Sequence, residues 1–289
     1  MNCTMIGAAS DLGVSRDGTA QGPEVLREHC FPDIPFEMIY APETIKSRSA
    51  QDLRKNEAEI NILDKELYEA FLKVKKDGDF TILVGGDHTC AIPSALSSCK
   101  ACGKTGVLWI DAHTDFNTFR TTETGNIHGL PLACISGYEC EELRTFHTGD
   151  TVDPANVCVV GARSIDREEK ENLKKAGVRV ISTDEIHERG IEAVMEEAFA
   201  VCLAGTGKVH VSFDLDVIDP SEAPGVTVPE VCGISTEEAL RINSIVAKRI
   251  SDVCSYDLVE LNPRNDIDRK TEQTACALLK QILEAVRAK

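Results

Sequence analysis

Asp111, His113 and Asp115 stand two residues apart, directly behind the apolar run Gly106-Val107-Leu108-Trp109-Ile110. The run is apolar on both faces and follows a glycine turn, so it reads as a short buried strand. If the first steps beyond it stay extended, alternate side chains fall on one side. Three groups of metal-ligand type on one side are costly without a cation to neutralise the carboxylates. The competing reading is an acidic loop that caps a helix. It leaves the clustered charge without a partner.

Three more apolar runs end the same way. Phe80–Val84 leads through Gly85-Gly86-Asp87 to His88, Lys208–Phe213 leads to Asp214 and Asp216, and a run starting at Tyr256 ends in Glu260. A lone histidine after a strand is usually a hydrogen-bonding group, and an aspartate there is usually a helix cap. The joint occurrence is more specific, because the carboxyl ends of neighbouring parallel strands meet in one crevice. Asp111, Asp115, Asp214 and Asp216 carry four negative charges, and His88 and His113 add two neutral nitrogens. One divalent ion leaves that set strongly anionic; two balance it. Such a pair, roughly 3.5–4 Å apart and bridged by carboxylates, is the pattern of a binuclear hydrolytic centre. Imidazole and carboxylate without thiolate favour manganese over structural zinc. Water bridging two such ions loses a proton near neutral pH and becomes a nucleophile.

The elements that must position these groups alternate along the chain. Strands are expected at Cys3–Ala8, Phe36–Tyr40, Phe80–Val84, Gly106–Ile110, Val157–Val160, Val178–Ile181, Lys208–Phe213 and Tyr256–Glu260. Helical patterns fall between them: one from Gly22-Pro23, one over Ala50–Lys76, one from Pro93, then Arg167–Lys175, Ile191–Leu203, Thr236–Ile250 and Arg269–Lys289. Ser235 or Thr236 is the expected cap of the penultimate helix. The long polar stretch Asn117–Gly129 has no strong element of its own, and loops of that length are usually functional. Strand–helix alternation specifies an α/β fold: one three-layer α/β/α domain over residues 1–289 around a mainly parallel, eight-stranded sheet.

The chain has 289 residues, 42% of them hydrophobic, and no long charge-free apolar run, which excludes a transmembrane span. The start lacks a basic region followed by an apolar stretch, so no secretory signal is read there and a cytoplasmic location is expected. A net charge of -17 argues against nucleic acid and anionic membranes as partners. It accommodates a cationic substrate or bound metal, and equally a plain soluble surface. Twelve scattered cysteines without an export signal are expected to be mostly reduced thiols. Cys99-Lys100-Ala101-Cys102 is a single C-x-x-C, half of a structural zinc site.

Gly85-Gly86-Asp87-His88, Asp111-Ala112-His113-Thr114-Asp115 and Ser212-Phe213-Asp214-Leu215-Asp216-Val217-Ile218-Asp219-Pro220 together resemble the three signatures of the ureohydrolase family, which contains arginase, agmatinase and formiminoglutamase. The resemblance runs from Gly22-Pro23 to Val259-Glu260-Leu261-Asn262-Pro263. Within the family, Asp115-Phe116-Asn117-Thr118 with Thr121–Gly129 looks most like the arginase loop that reads the α-carboxylate and α-amino group of the substrate. The resemblance implies one manganese on His88, Asp111, Asp115 and Asp214, and a second on Asp111, His113, Asp214 and Asp216, with Asp111 and Asp214 bridging. It implies that Asn117, Thr122, Thr124 and Asn126 hold the α-carboxylate region. Asp166 would meet the α-amino group, with Ser164 and Glu169 nearby. Glu260 would face the guanidinium, and His128 would shuttle protons; both join Asp115 in the catalytic set.

The implied reaction is hydrolysis of L-arginine to L-ornithine and urea by a metal-bridging hydroxide. A carboxylate such as Glu260 suits the planar fork of guanidinium donors, and a histidine suits protonation of the leaving amine. Agmatine or another guanidino or amidine substrate is the alternative, and a non-catalytic relative is a third reading. Family members are usually trimers or hexamers, so a homo-oligomer is expected, with the C-terminal helix as an interface. Two positions depart from the pattern. Val228 stands where a threonine is usual and lacks its hydroxyl, and Ser164 stands where an aspartate is common.

Overall fold

The computed structural model describes every residue except Met1, Asp33, Ala50, Asp77 and Gly78. Eight strands alternate with helices. They are β1 (Cys3–Ala9), β2 (Phe36–Tyr40), β3 (Phe80–Gly85), β4 (Thr105–Ile110), β5 (Val157–Ala162), β6 (Arg179–Ser182), β7 (Lys208–Asp214) and β8 (Val253–Val259). They form one sheet in the order β2-β1-β3-β8-β7-β4-β5-β6. Every pairing is parallel, so the expected "mainly parallel" sheet is wholly so. All six residues of each of β3, β4 and β5 are buried. That explains their unbroken apolar runs: helices cover both faces of a parallel sheet.

The helices are α1 (Gly22–Cys30), α2 (Glu57–Lys76), α3 (Ala91–Cys102), α4 (Pro131–Ile135), α5 (Arg167–Ala176), α6 (Thr183–Arg189), α7 (Ile191–Cys202), α8 (Thr236–Lys248) and α9 (Lys270–Arg287). On one face, Leu26 of α1, Ile186 of α6, Phe199 of α7, Ile242 of α8 and Leu279 of α9 pack on Ile82, Leu108, Val211 and Tyr256. On the other, Tyr68 of α2, Ile92 of α3, Leu132 of α4 and Leu173 of α5 pack on Val107, Trp109 and Val159. Ser235 caps α8: its hydroxyl accepts from Glu238 N while the Glu238 side chain reaches back to Ser235 N.

Several boundaries differ from the sequence reading. The helical pattern expected from Ala50 begins at Glu57; Ala50 lies outside the described residues, and residues 51–56 form turns that carry Lys55 inward. The helix expected from Pro93 starts two residues earlier, which leaves the proline in the first turn, where its missing N–H costs nothing. Two short helices, α4 and α6, are additional. Cys30 of α1 and Cys276 of α9 form a disulfide across 246 residues, while ten cysteines are free. The expectation of mostly reduced thiols therefore holds with this one exception. Cys99 and Cys102 are free thiols on α3, apart from any group of metal-ligand side chains found among the described residues. Among the described residues, no helix is long and apolar enough to cross a membrane.

Candidate metal centre and substrate pocket

β3, β8, β7 and β4 are consecutive in the sheet. Their carboxyl ends deliver His88, Glu260, Asp214 with Asp216, and Asp111 with His113 and Asp115 to one place. His88 follows a tight turn in which a side chain on Gly86 would run into the Ser10 carbonyl. Its Nδ1 lies 3.1 Å from Asp111 Oδ2, 3.2 Å from Asp115 Oδ2 and 3.0 Å from Asp214 Oδ2. The opposite nitrogen fixes the ring: Nε2 is hydrogen-bonded with Ser212 Oγ at 2.9 Å. Although three carboxylate oxygens surround it, Nδ1 makes no directed hydrogen bond. A buried nitrogen facing the gap between three carboxylates is the donor set of an oxygen- and imidazole-bound cation.

A second group lies beside the first. His113 Nδ1 is 3.0 Å from Asp216 Oδ2 and 3.5 Å from Asp111 Oδ1. Asp111 belongs to both groups whose ligand atoms are mutually close, His88–Asp111–Asp115 and Asp111–His113–Asp216. Asp214 faces the first group through Oδ2, and its Oδ1 accepts from Asp216 N at 2.8 Å. The carboxylates are oriented before any ligand arrives. Asp111 accepts from Trp109 Nε1 at 2.9 Å and His113 N at 2.6 Å, and Asp216 accepts from Ala112 N at 3.2 Å. Asp115 is held in the left-handed region at φ 47°.

The electrostatics follow from burial and crowding. Burial opposes charge on His88, but Asp111, Asp115 and Asp214 outweigh it and hold the imidazole well above its ordinary range. His113 is raised likewise, by Asp216 foremost among the acids. Burial and the neighbouring Asp216 and Asp111 push Asp214 well up, and burial takes Asp216 to about 6 against the pull of His113. Burial also raises Asp111, but the adjacent His113 and His88 imidazoles outweigh it and lower the carboxyl. The cluster therefore balances its charge with protons on the imidazoles or with cations in their place, and a cation that binds releases protons.

A pocket opens onto this cluster. His113, Asp115, Asp214 and Asp216 line its floor; Asn117, Thr122, Thr124, Asn126, His128, Ser164, Asp166 and Glu169 line its walls, with Val228 and Glu230. All the sequence-predicted substrate contacts except Glu260 thus converge on one cavity. The loop shapes itself: Thr122 Oγ1 accepts from Gly125 N at 3.0 Å, and Asn117 Nδ2 donates to Asp166 Oδ2 at 2.9 Å. Glu169 is already engaged, accepting from Phe116 N at 2.7 Å and Asp166 N at 3.1 Å. It is a support for the wall more than a free contact.

Glu260 lies deeper, 2% exposed, at the end of β8 with φ 68°. Its Oε1 accepts from His88 N at 2.9 Å and from His128 Nδ1 at 3.0 Å, while Oε2 is buried without a partner. Burial lowers His128, but the Glu260 contact outweighs it and raises the imidazole above its ordinary range.

Two residues of the site escaped the sequence reading. Glu230 Oε1 accepts from Ser164 Oγ at 3.2 Å and lies 3.6 Å from His113 Nε2, so it returns a carboxylate to the wall where Ser164 lacks one. The signal was its place two residues beyond Val228, in the stretch already seen to depart from the pattern. Arg163 holds that stretch: its guanidinium donates to the carbonyls of Val231, Glu230, Asp216 and Val217 at 2.8–3.0 Å. The other is Lys55, which the helical pattern hid.

The chain is similar to known proteins over nearly its whole length. The family model described as the Arginase family matches residues 1–284. An arginase of Bacillus subtilis is 35% identical over 97% of this chain and 97% of its own. The solved arginase of Bacillus caldovelox superposes with a TM-score of 0.90 at 31% identity, covering 97% of each chain. An Entamoeba histolytica arginase, solved in complex with L-ornithine, gives a TM-score of 0.90 at 27% identity over 98% of each.

Proposed function

Because the chain belongs to the arginase family, we propose that it hydrolyses L-arginine to L-ornithine and urea at a two-manganese centre. The observation that carries this reading is the buried His88 Nδ1 among three carboxylates, beside a pocket with a polar wall. His88, Asp111, Asp115 and Asp214 would hold one ion, and Asp111, His113, Asp214 and Asp216 the other. Such ions, when bound, supply charge neutralisation and a water acidified enough to act as a nucleophile near neutral pH.

The remaining chemistry belongs to the chain. The unpartnered Oε2 of Glu260 is an acceptor awaiting a guanidinium N–H. His128, proton-bearing above its ordinary range beside Glu260, is the group that protonates the leaving amine. Asn117, Thr122, Thr124 and Asn126 receive the α-carboxylate; Asp166 and Ser164 receive the α-amino group, with Glu169 bracing Asp166. Asp115 serves both as ligand and as part of the reacting floor. We read residues 1–289 as one domain working in the cytoplasm as a homo-oligomer, trimer or hexamer.

Urea release from L-arginine and from agmatine, measured side by side after manganese loading, tests the assignment, with D216A as control. Arginine turnover that D216A abolishes is the expected result. Urea from agmatine alone, or undiminished turnover by protein stripped of every transition ion, would sink it.

A further inference from the structure

Lys55 is the only buried lysine or arginine among the described residues, at 3% exposure. It lies in the turn ahead of α2, behind the pocket wall. Its Nζ donates to Ser15 Oγ at 3.1 Å, to Asn126 Oδ1 at 3.1 Å and to the Thr124 carbonyl. These acceptors use all three N–H bonds of the ammonium, and none of them carries a charge. Burial pulls the ammonium pKa down, and Asp52 opposes more weakly. An uncompensated buried cation is costly, and an apolar side chain of similar length would fill the space without that cost.

The geometry shows where the charge is directed. Asn126 Oδ1 accepts from Ser15 Oγ at 2.6 Å as well as from Lys55, so both its lone pairs are taken. The carboxamide cannot turn round, and its Nδ2 donors remain for the pocket that Asn126 and Thr124 line. The two loops are locked together. Gly125 has φ 70°, and a side chain there would run into the Asp52 carbonyl.

We propose that Lys55 is the positioning residue that sets substrate specificity at this wall: from behind Asn126 and Thr124 it supplies positive charge and fixes the Asn126 amide donors toward the pocket, which selects guanidino substrates carrying a carboxylate at the far end. The inference deepens the arginine reading and rests on it. Without a carboxylate the ammonium stays uncompensated, so agmatine gains nothing from it.

The test uses full-length, manganese-loaded protein with L-arginine as substrate and L-ornithine or its methyl ester as inhibitor. K55M should raise KM for L-arginine about tenfold or more, as expected for losing a poorly screened unit charge near a carboxylate. It should leave kcat little changed and bind the ester as wild type does. K55R should restore most of the preference for L-ornithine over the ester. A K55M protein with wild-type KM and an undiminished preference for L-ornithine overturns the inference alone. Wild-type protein that makes urea from agmatine and none from L-arginine overturns the reading beneath it. Should K55M fail to fold, lysine-labelled wild-type protein answers by NMR. L-Ornithine must raise the Lys55 pKa and the ester must not; equal effects of the two overturn the inference.

Discussion

The imidazole of His88 lies flat on the indole of Trp109, with ring centroids 4.0 Å apart and planes 6° from parallel. Trp109 sits fully buried on β4, and its Nε1 donates to Asp111 Oδ2 at 2.9 Å. One core side chain therefore orients two candidate ligands that come from different strands. The hydrophobic layer and the charged cluster share an atom-level boundary there.

Trp109→Phe keeps an aromatic ring beneath His88 and removes the indole N–H together with part of the fused ring. Loss of an outer hydrogen bond to a ligand typically weakens metal binding about 10- to 100-fold. Calorimetric titration with manganese should show that weakening with little change in fold. Trp109→Ala should in addition cost about 3–5 kcal/mol in urea unfolding, because a large buried side chain is deleted. Wild-type manganese affinity in Trp109→Phe would remove the indole N–H from the account.

Glu260→Gln separates binding of metal from binding of the guanidinium. It keeps the shape and loses the negative charge that Oε2 offers. Metal content should be unchanged, while kcat/KM for L-arginine should fall about a hundredfold or more, as for a buried ion pair to substrate. A variant that loses its metals instead would make Glu260 a support of the cluster only, acting through His88 N.

Manganese should stabilise the fold, since four carboxylates and two histidines are assembled only in the native chain. At a thousandfold excess over its dissociation constant, a ligand of the native state adds about 4 kcal/mol. Scanning calorimetry should show a higher Tm with manganese than with chelator. The difference should shrink in Asp216→Ala. Identical melts with and without the ion would contradict two-ion binding.

Glu169 gives a pH signature. Burial raises its carboxyl from the ordinary 4.5 to about 7, against the hydrogen bonds it accepts from Phe116 N and Asp166 N. A folded pKa above the unfolded one means that the protonated form suits the fold. That contribution is complete below about pH 4.5 and is lost as pH rises through about 7, a change of about 3 kcal/mol. Comparing wild type with Glu169→Gln in urea unfolding across pH 4 to 8, on the scale of about one pKa range either side, isolates it. The stability gap between the two should move in favour of the variant as pH rises. A gap independent of pH would count against the buried acid.

The central strands and the six candidate ligands were legible because each lies within a few residues of a continuous apolar run, and burial on both faces makes such runs stand out. The weaker elements were not. α4 and α6 span 5 and 7 residues, too short for a helical period to separate from the surrounding polar loop. The start of α2 was placed too early because residues 51–56 carry the same mix of charge and leucine as the helix itself. Lys55 and Glu230 take their meaning from partners brought in by folding: Lys55 meets Ser15 and Asn126, 40 and 71 positions away. The Cys30–Cys276 pairing is hidden for the same reason, since cysteine count alone does not fix connectivity.

The order of the strands has a kinetic consequence. β8, last in the chain, is inserted between β3 and β7, so it is the staple joining two half-sheets that otherwise share no ladder. Until it arrives, His88 remains on one fragment and the aspartates on the other, each fragment with a raw edge exposed to self-association. Such long-range closure is slow. Ions held as proposed would be acquired only after the final segment has docked, and metal uptake during refolding would then be a clock for completion of the whole sheet.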